Sequence, residues 1–338
     1  MANPVLVEVL RRDVVESRHR GAIAVCDGDG RLVLSIGDVE RPVFPRSAVK
    51  AIQALPLVES GAADALGFDA ADIALACASH SGEPRHAERV AAILGRAGLS
   101  ASDLECGAHW PGNQDAMVAL ARSGAQPSAL HNNCSGKHAG FLCTCVHRGV
   151  AHRGYVRRGH AAQQWVREAM ESVTGAAHGE DVCGTDGCSI PTYAVPLANL
   201  AAGFARMATG RGLDSGRAAA ARRILAACMA HPFYVSGTGR ADLQIMQAGA
   251  GRVFTKTGAE GVFCAALPDL GLGIALKCDD GAGRAAEVMI AAVLAGLTRR
   301  DTQLSGKLGQ LARPVLTNWN GIEVGGLRQT DALSVQPV

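Results

Sequence analysis

Lysine is scarce in this chain. Only five of the 338 residues are lysine, and arginine supplies the other 28 of the 33 basic residues. Aromatic residues make up 4% of the sequence, so the core must consist mainly of aliphatic side chains, which a hydrophobic content of 48% can supply. The net charge is +2 and no basic block stands out, which disfavours nucleic acid as a main partner because phosphate binding needs clustered cations.

Long apolar runs are also lacking. No uncharged apolar stretch reaches the roughly 18 residues of a membrane span. The start of the chain, MANPVLVEVLRRDVVES, has no charged segment followed by an apolar run, so no signal peptide is predicted. Eleven cysteines in such a chain predict reduced thiols and a cytoplasmic location. Most are interpreted as small buried hydrophobes: Cys26, Cys77, Cys143, Cys145, Cys228, Cys264 and Cys278.

The order of the hydrophobic patterns predicts an α+β fold. Strand patterns occur near residues 4–10, on both sides of the Asp27–Gly30 turn, and three times between residues 250 and 280. We expect these strands to form one antiparallel sheet, with a terminal helix packed on it and a helical lobe beside it. Helices are predicted near residues 46–60, 85–97, 114–123, 136–148, 160–174, 191–209, 215–230, 239–249 and 283–298.

A single domain, residues 1–338, is predicted. Its sheet lobe comprises residues 1–45 and 250–298, and residues 46–249 form the mostly helical lobe. Residues 299–338 are predicted as a loop-rich tail.

Two of the five lysines lie in motifs typical of serine acyl transfer. Ser47 and Lys50 share one face at the start of a predicted helix, where a lysine with a lowered pKa could take the serine proton. Lys256 begins a Lys-Thr-Gly tripeptide on a late strand. A Ser-x-x-Lys pair with Lys-Thr-Gly is the pattern of serine β-lactamases and penicillin-binding proteins. Their Ser-Asp-Asn element is absent, and Ser79, in CASHSGEPRH, could do its proton-transfer work.

A metal site is suggested by two cysteines in polar, glycine-containing turns. Cys134 and Cys188 are expected to be more accessible than the core cysteines, and two thiolates with a nitrogen ligand would suit zinc. On spacing alone, His138 is the expected nitrogen ligand and Cys183 a further candidate. The alternative is a pair of reduced cysteines that pack at helix starts.

Taken together, these stretches resemble the rhizobial-type L-asparaginases. The resemblance covers about residues 5 to 297 and rests on motifs in matching order: ESRHRG, FPRSAVKAIQALPLVESG, CASHSGEPRH, HNNCSGKHAGFL, DGCSIPTYAVPLANLA and FTKTGAEGVF. It implies a fold like that of serine β-lactamases and glutaminases, conversion of L-asparagine to L-aspartate and ammonia, and a homodimer.

The resemblance also implies the site residues. Two Ser–Lys pairs, Ser47 with Lys50 and Ser79 with Lys256, would perform acyl transfer. A structural or substrate-orienting zinc would bind Cys134, Lys137 and Cys188, which replaces His138 as the nitrogen ligand.

In the implied mechanism, Lys50 removes the Ser47 proton and backbone N–H groups at the helix start stabilise the oxyanion. Ser79 and Lys256 protonate the leaving ammonia. A zwitterionic substrate needs a cation and an acceptor. The candidates are Arg46 and His138 for its carboxylate, and Asp186, Asn133 and Glu59 for its ammonium group, with Asp186 favoured.

Three rival classes are weighed against this prediction. The first comprises β-lactamase-like or penicillin-binding-like serine hydrolases and, on the same fold, glutaminases. The second is a threonine N-terminal-nucleophile asparaginase, for which CGTDGC at residues 183–188 is a faint cleavage candidate. The third is a zinc-stabilised, thiol-rich binding or redox protein.

Overall fold

An eight-stranded antiparallel sheet forms the centre of the computed structural model, which describes residues 2–335. Its strand order is β11-β12-β1-β2-β10-β9-β8, with β3 paired to β2, so strands from both chain ends meet in it. Two smaller pairs, β4–β7 and β5–β6, lie outside it. The strands are β1 (Val5–Arg11), β2 (Val14–Asp27), β3 (Leu32–Ile36), β4 (Pro42–Val43), β5 (Cys183–Thr185), β6 (Pro191–Tyr193), β7 (Val195–Pro196), β8 (Phe254–Thr257), β9 (Val262–Leu267), β10 (Leu272–Cys278), β11 (Val315–Thr317) and β12 (Glu323–Gln329).

Helices cover both faces of this sheet. They are α1 (Lys50–Gln53), α2 (Leu55–Glu59), α3 (Ala62–Ala65), α4 (Ala70–Ala76), α5 (Pro84–Arg96), α6 (Gln114–Arg122), α7 (Ser135–His147), α8 (Ala161–Thr174), α9 (Leu197–Thr209), α10 (Ser215–Ala230), α11 (Pro232–Val235), α12 (Ala241–Gly249), α13 (Gly283–Leu297) and α14 (Thr302–Leu311). No helix within residues 2–335 is long and apolar enough to cross a membrane.

Strand β2 shows how the two layers are built. Its second half, GAIAVC, is apolar at every position, as expected of a strand covered on both faces. Ala24 and Cys26 face the helical lobe, whereas Ile23 and Val25 pack with α13. The predicted α+β fold, with its N- and C-terminal strands in one sheet, its terminal helix and its helical lobe, is confirmed.

Two predicted helices are shorter than expected. The predicted helix 46–60 is a 3-10 turn at Arg46–Val49 followed by α1 and α2. The prediction of a helix over 191–209 is wrong for its first six residues, which form β6 and β7 before α9 begins. Pro191 and Pro196 explain the second difference, since neither has an N–H to continue a helix.

The C-terminal stretch is also more regular than predicted. The prediction of a loop-rich tail at 299–338 is wrong over its described part, to residue 335. Helix α14 packs beside α13. Strand β12, near the end of the sequence, pairs with β1, near its start. Arg328 and Glu8 form an ion pair there. The alternation that marks a strand is interrupted by Gly325 and Gly326, so the sequence pattern alone does not reveal β12.

The seven cysteines predicted to be core residues are all buried and free. Five histidines are buried as well. His19 pairs with Asp280, and the other four are His80, His86, His138 and His178. Burial is the main cause that holds their pKa values below the usual 6.5. These rings are therefore neutral in the folded protein at neutral pH.

We expect this to make the fold sensitive to acid. Above about pH 6.5 the histidines are neutral in both states and contribute no pH dependence. As pH falls below 6.5, the unfolded chain binds protons that the folded chain does not, so stability decreases. Thermal unfolding between about pH 7.5 and pH 5 should show a falling Tm, by roughly 2–4 °C for each kcal/mol lost. A Tm that is constant across this range would contradict the account.

Candidate active site

Three of the five lysines are buried. Lys50, Lys137 and Lys256 are each at most 1% exposed, whereas Lys307 is exposed and Lys277 is half-buried. A buried amine is costly unless it is paired or neutral, so these side chains are unlike ordinary surface lysines.

Ser47 lies in the 3-10 turn that precedes α1. The residue before it, Arg46, has a φ of 51°, a left-handed conformation that a non-glycine residue rarely adopts. Such strain occurs mostly where surrounding structure enforces it, often at functional sites. Ser47 itself is half-buried.

Lys50 is hydrogen-bonded to the other serine. Its Nζ donates to Ser79 Oγ at 2.9 Å, to Ala78 O at 2.5 Å and to Cys134 Sγ at 3.1 Å. The resemblance implied that Lys50 pairs with Ser47, but the hydrogen bonds of this structure join Lys50 to Ser79. Ser79 is 6% exposed and its N–H donates to Val235 O.

Lys256 lies on β8, the edge strand beside the Ser47 turn. A side chain at Gly258 would come within 2.5 Å of Pro45 O, which shows how closely the strand passes the turn. Lys256 Nζ donates to Thr257 O at 2.9 Å. Burial, with smaller effects of Lys50 and Arg240, lowers the pKa of Lys256 to about 7 against the opposing charge of Asp242. This amine can therefore exchange a proton near neutral pH.

The residues implied as zinc ligands lie together. Lys137 Nζ is 3.1 Å from Cys188 Sγ. A hydrogen bond from Cys188, with the Lys50 and Lys137 charges, lowers the pKa of Cys134 well below its usual value despite burial. The same hydrogen bond and burial raise the pKa of Cys188. Cys134 and Cys188 are 5% and 3% exposed, which is more than any of the seven core cysteines, although both are buried.

This donor set fits zinc. Two sulfurs and one nitrogen meet in a buried space, and these are the atoms that zinc prefers. Local structure fixes their positions: Lys137 lies in the first turn of α7, and Cys188 in the tight turn between β5 and β6. Binding would require Cys188 and Lys137 to lose their protons.

A different group of potential ligands lies at the junction of β2, β10 and α13. The carboxylate of Asp280 accepts hydrogen bonds from His19 Nδ1 at 2.6 Å, Cys278 Sγ at 3.0 Å and Ala282 N–H at 3.0 Å. These bonds tie the start of α13 to the sheet, which accounts for the cluster without an ion.

Arg46 and Asp186 form an ion pair. Arg46 Nε donates to Asp186 Oδ1 at 2.7 Å. Although burial opposes it, the charges of Lys137 and Arg46 lower the pKa of Asp186. Arg46 also lines an open cavity of ≈ 340 Å³, together with Phe44, Lys277 and Asp279. Of the two partners, only Arg46 lines this cavity; Asp186, Ser47 and Lys256 do not line it.

The other substrate-binding candidates differ in their surroundings. Asn133 Oδ1 lies 3.1 Å from Cys134 Sγ, so this amide lies beside the Cys134 sulfur. His138 is fully buried, and burial with the Lys137 charge holds its pKa well below the usual value. A neutral imidazole supplies no positive charge, which disfavours His138 as the cation for the carboxylate. Glu59 pairs with Arg217 on α10, which removes it from the candidate ammonium site.

Two backbone N–H groups near the serines already donate hydrogen bonds within the protein, so they are not free to stabilise an oxyanion. Ala48 N–H donates to Pro45 O at 3.0 Å, and Ser79 N–H is engaged with Val235 O at 2.9 Å. The short 3-10 turn at Arg46–Val49 engages the Ala48 N–H, which a regular helix start would leave free. Ser79 lies outside this turn.

Sequence reasoning missed two polar groups near the site. His80 Nε2 and Ser135 Oγ are 2.8 Å apart and connect the Ser79 loop to α7. Asp242, in the first turn of α12, is 1% exposed and its Oδ1 accepts the Thr257 N–H. His80 lies within the CASHSGEPRH motif, but nothing in that pattern indicates a role for it. Asp242 carries no local signal, since acidic residues are common in first helical turns.

The chain belongs to the L-asparaginase II family, whose sequence profile matches residues 7–329. No curated protein sequence matches it.

Three solved structures share limited similarity with it. Mglu in the presence of 4.3 M NaCl is 17% identical, with a TM-score of 0.41 over 77% of this chain and 56% of that chain. Mglu in its glutamate form is 17% identical, with a TM-score of 0.42 over 77% of this chain and 56% of that chain. A β-lactamase from Mycobacterium bovis is 13% identical, with a TM-score of 0.37 over 86% of this chain and 92% of that chain. The match thus spans little more than half of the Mglu chain.

Proposed function

We propose that this protein is an L-asparagine amidohydrolase that forms an acyl-enzyme on a serine. The observation that carries the proposal is the convergence of the Lys50–Ser79 pair, the strained Arg46–Ser47 turn and the buried Lys256, in a chain of the L-asparaginase II family. Serine is activated for acyl transfer by a neighbouring base, and an amine that is partly neutral near pH 7 can be that base.

In the proposed reaction, Ser47 Oγ attacks the side-chain amide carbon of L-asparagine. In this proposal Lys256 accepts the Ser47 proton, because its lowered pKa makes it a suitable base at neutral pH and its strand packs on the Ser47 turn. The bond from carbon to the amide nitrogen then breaks, the nitrogen takes this proton and leaves as ammonia, and an aspartyl ester remains. Water hydrolyses the ester and restores the serine. The Lys50–Ser79 pair lies beside the reacting groups, and its hydrogen bond holds the Ser79 hydroxyl in place.

Arg46 and Asp186 are proposed to hold the ends of the substrate. The guanidinium would bind the α-carboxylate, and the Asp186 carboxylate, with the Asn133 amide oxygen, would accept from the α-ammonium group. Their mutual ion pair supports this proposal, since a zwitterion can replace each partner with a group of the same charge.

Zinc is proposed as a cofactor held by Cys134, Lys137 and Cys188. When bound, it would balance the thiolate charge and fix these side chains beside Ser79, which is a structural or orienting task.

We expect the purified protein to contain about one zinc per chain, and Cys188→Ser to lose most of it because one thiolate ligand is gone. Metal content by mass spectrometry checks this. Cys145→Ser is the matched control: Cys145 is equally buried, but its pKa is raised by burial alone, so it has no charged partner there. Equal zinc in both variants would remove these residues from the metal site.

A homodimer and a cytoplasmic location are further proposals. The β11–β12 hairpin exposes Trp319 and Ile322, which supports a self-association surface. Eleven free cysteines suit a reducing compartment. Light scattering of the purified protein tests the dimer, with a monomeric mass as the contrary result.

The function is tested with a substrate panel. L-asparagine should yield L-aspartate and ammonia in equal amounts, and L-glutamine should react more slowly, since a site fitted to the shorter side chain must accommodate one more methylene. Stable labelling by a fluorescent penicillin, without ammonia release from L-asparagine, would favour the penicillin-binding-like rival.

A further inference from the structure

Asp242 is a buried carboxylate to which the proposed reaction gives no task. It lies in the first turn of α12 and is 1% exposed. Its Oδ1 accepts the Thr257 N–H at 2.7 Å, whereas its Oδ2 is buried and has no hydrogen-bond partner within residues 2–335. A buried carboxylate oxygen without a partner is costly, which calls for a compensating charge nearby.

The hydrogen bond fixes the edge of the sheet at the Lys-Thr-Gly segment. Gly258 N–H donates to Val262 O on β9. Because the N–H groups of successive strand residues point to opposite sides, the Thr257 N–H points away from β9, to the open edge. Asp242 accepts it there and ties β8 to α12. The strand residue that precedes Thr257 is Lys256.

The charges of Asp242 and Lys256 also influence each other's pKa. Burial raises the pKa of Asp242, while the charges of Lys256 and Arg240 oppose that rise. Burial, Lys50 and Arg240 lower the pKa of Lys256. The negative charge of Asp242 raises it, and Cys134 raises it by a smaller amount. Glu287 on α13 is the other acidic group near Asp242.

We propose that Asp242 is a positioning residue for Lys256: it anchors the Lys-Thr-Gly strand through Thr257, and it forms with the Lys256 side chain a buried charge pair whose members are not hydrogen-bonded to each other. The role of Lys256 as the base rests on the proposed function, but the pair itself does not. In this pair the negative charge favours the protonated amine and so determines the pH at which the amine becomes neutral.

The scarcity of lysine makes the pair measurable directly. With only five lysines in the chain, protein carrying 13C at lysine Cε gives few NMR signals, and the signal missing in Lys256→Met assigns Lys256. In Asp242→Asn the amide oxygen can still accept from Thr257, but the charge is gone. We expect the titration midpoint of Lys256 to fall by about one pH unit or more, the size typical of losing a close opposite charge.

The control is Asp72→Asn. Asp72 is 2% exposed but pairs with Arg89 and Arg96 on α5, away from Lys256. This variant should lower the Tm and leave the Lys256 midpoint unchanged. If Asp242→Asn does not fold, Asp242→Ser keeps an oxygen acceptor without charge and should give the same shift. A Lys256 midpoint that is the same as in the unmutated protein, in whichever folded variant is measured, would overturn the pair.

The rate profile separates this inference from the proposed function. If the unmutated protein hydrolyses L-asparagine, the acidic limb of its kcat/KM profile should move to lower pH in Asp242→Asn, in parallel with the NMR midpoint. If the protein releases no ammonia but the midpoint moves, the pair stands and the asparaginase proposal fails. If ammonia is released but the limb does not follow the midpoint, Asp242 does not act through Lys256 in the reaction.

Discussion

Ser47→Ala is expected to lower kcat for ammonia release from L-asparagine by about a thousandfold or more, while substrate binding changes little. The reason is that no acyl-enzyme can form without the Ser47 hydroxyl, whereas Arg46 and Asp186 still hold the substrate. Because Ser47 is half-buried and outside the Lys50 hydrogen bonds, the fold should be retained.

Steady-state kinetics and thermal unfolding check this, with Ser60→Ala as the control. Ser60 ends the same run of short helices, far enough along the chain to leave the Ser47 turn intact, and its loss should be nearly neutral. Ser79→Ala should also be strongly impaired, because it removes a hydrogen-bond partner of Lys50. Full activity in Ser47→Ala would move the nucleophile to Ser79 or elsewhere.

Lys256→Met is expected to lower kcat by about a hundredfold to ten-thousandfold, the range usual for losing a general base. In the unmutated protein, kcat/KM should rise through about pH 7 as Lys256 loses its proton. The methionine fills a similar volume without an amine. The rise of kcat/KM near pH 7 should therefore disappear, along with most of the rate.

Stability should change in the opposite sense. The pKa of Lys256 is about 7 in the folded protein against an ordinary 10.5, so stability falls as pH decreases from about 10.5 to 7, and the full cost is present at and below pH 7. The variant should therefore unfold at an equal or higher Tm. Lys307→Met, at an exposed position on α14, is the control and should match the unmutated protein. A fully active Lys256→Met would contradict its role as a base.

The lysines show what the sequence could predict. Their scarcity drew attention to Lys50 and Lys256, and both are buried in the site. Hydrophobic periodicity predicted most helices within a few residues, because long amphipathic segments carry a strong local signal. The hydrogen-bond partner of Lys50 could not be predicted, since Ser79 meets it only through tertiary packing.

Non-local contacts account for the misses. Polar, glycine-containing turns predicted that Cys134 and Cys188 are more accessible than the core cysteines, which they are, but the local pattern does not reveal the packing between α7 and the β5–β6 turn that leaves both buried. The pairing of β12 with β1 joins opposite ends of the chain. Asp242 is marked only by the Thr257 N–H that it accepts, and no local pattern predicts that contact.

The most direct test of the central claim is to assay L-asparagine hydrolysis in the presence of hydroxylamine. An aspartyl ester on Ser47 should divide between water and hydroxylamine, so the unmutated protein should form aspartyl hydroxamate along with ammonia, and Ser47→Ala should form neither. Ammonia without hydroxamate at any hydroxylamine concentration would exclude an accessible acyl-enzyme and point to direct attack by water. No ammonia from the zinc-supplied protein would contradict the asparaginase assignment itself.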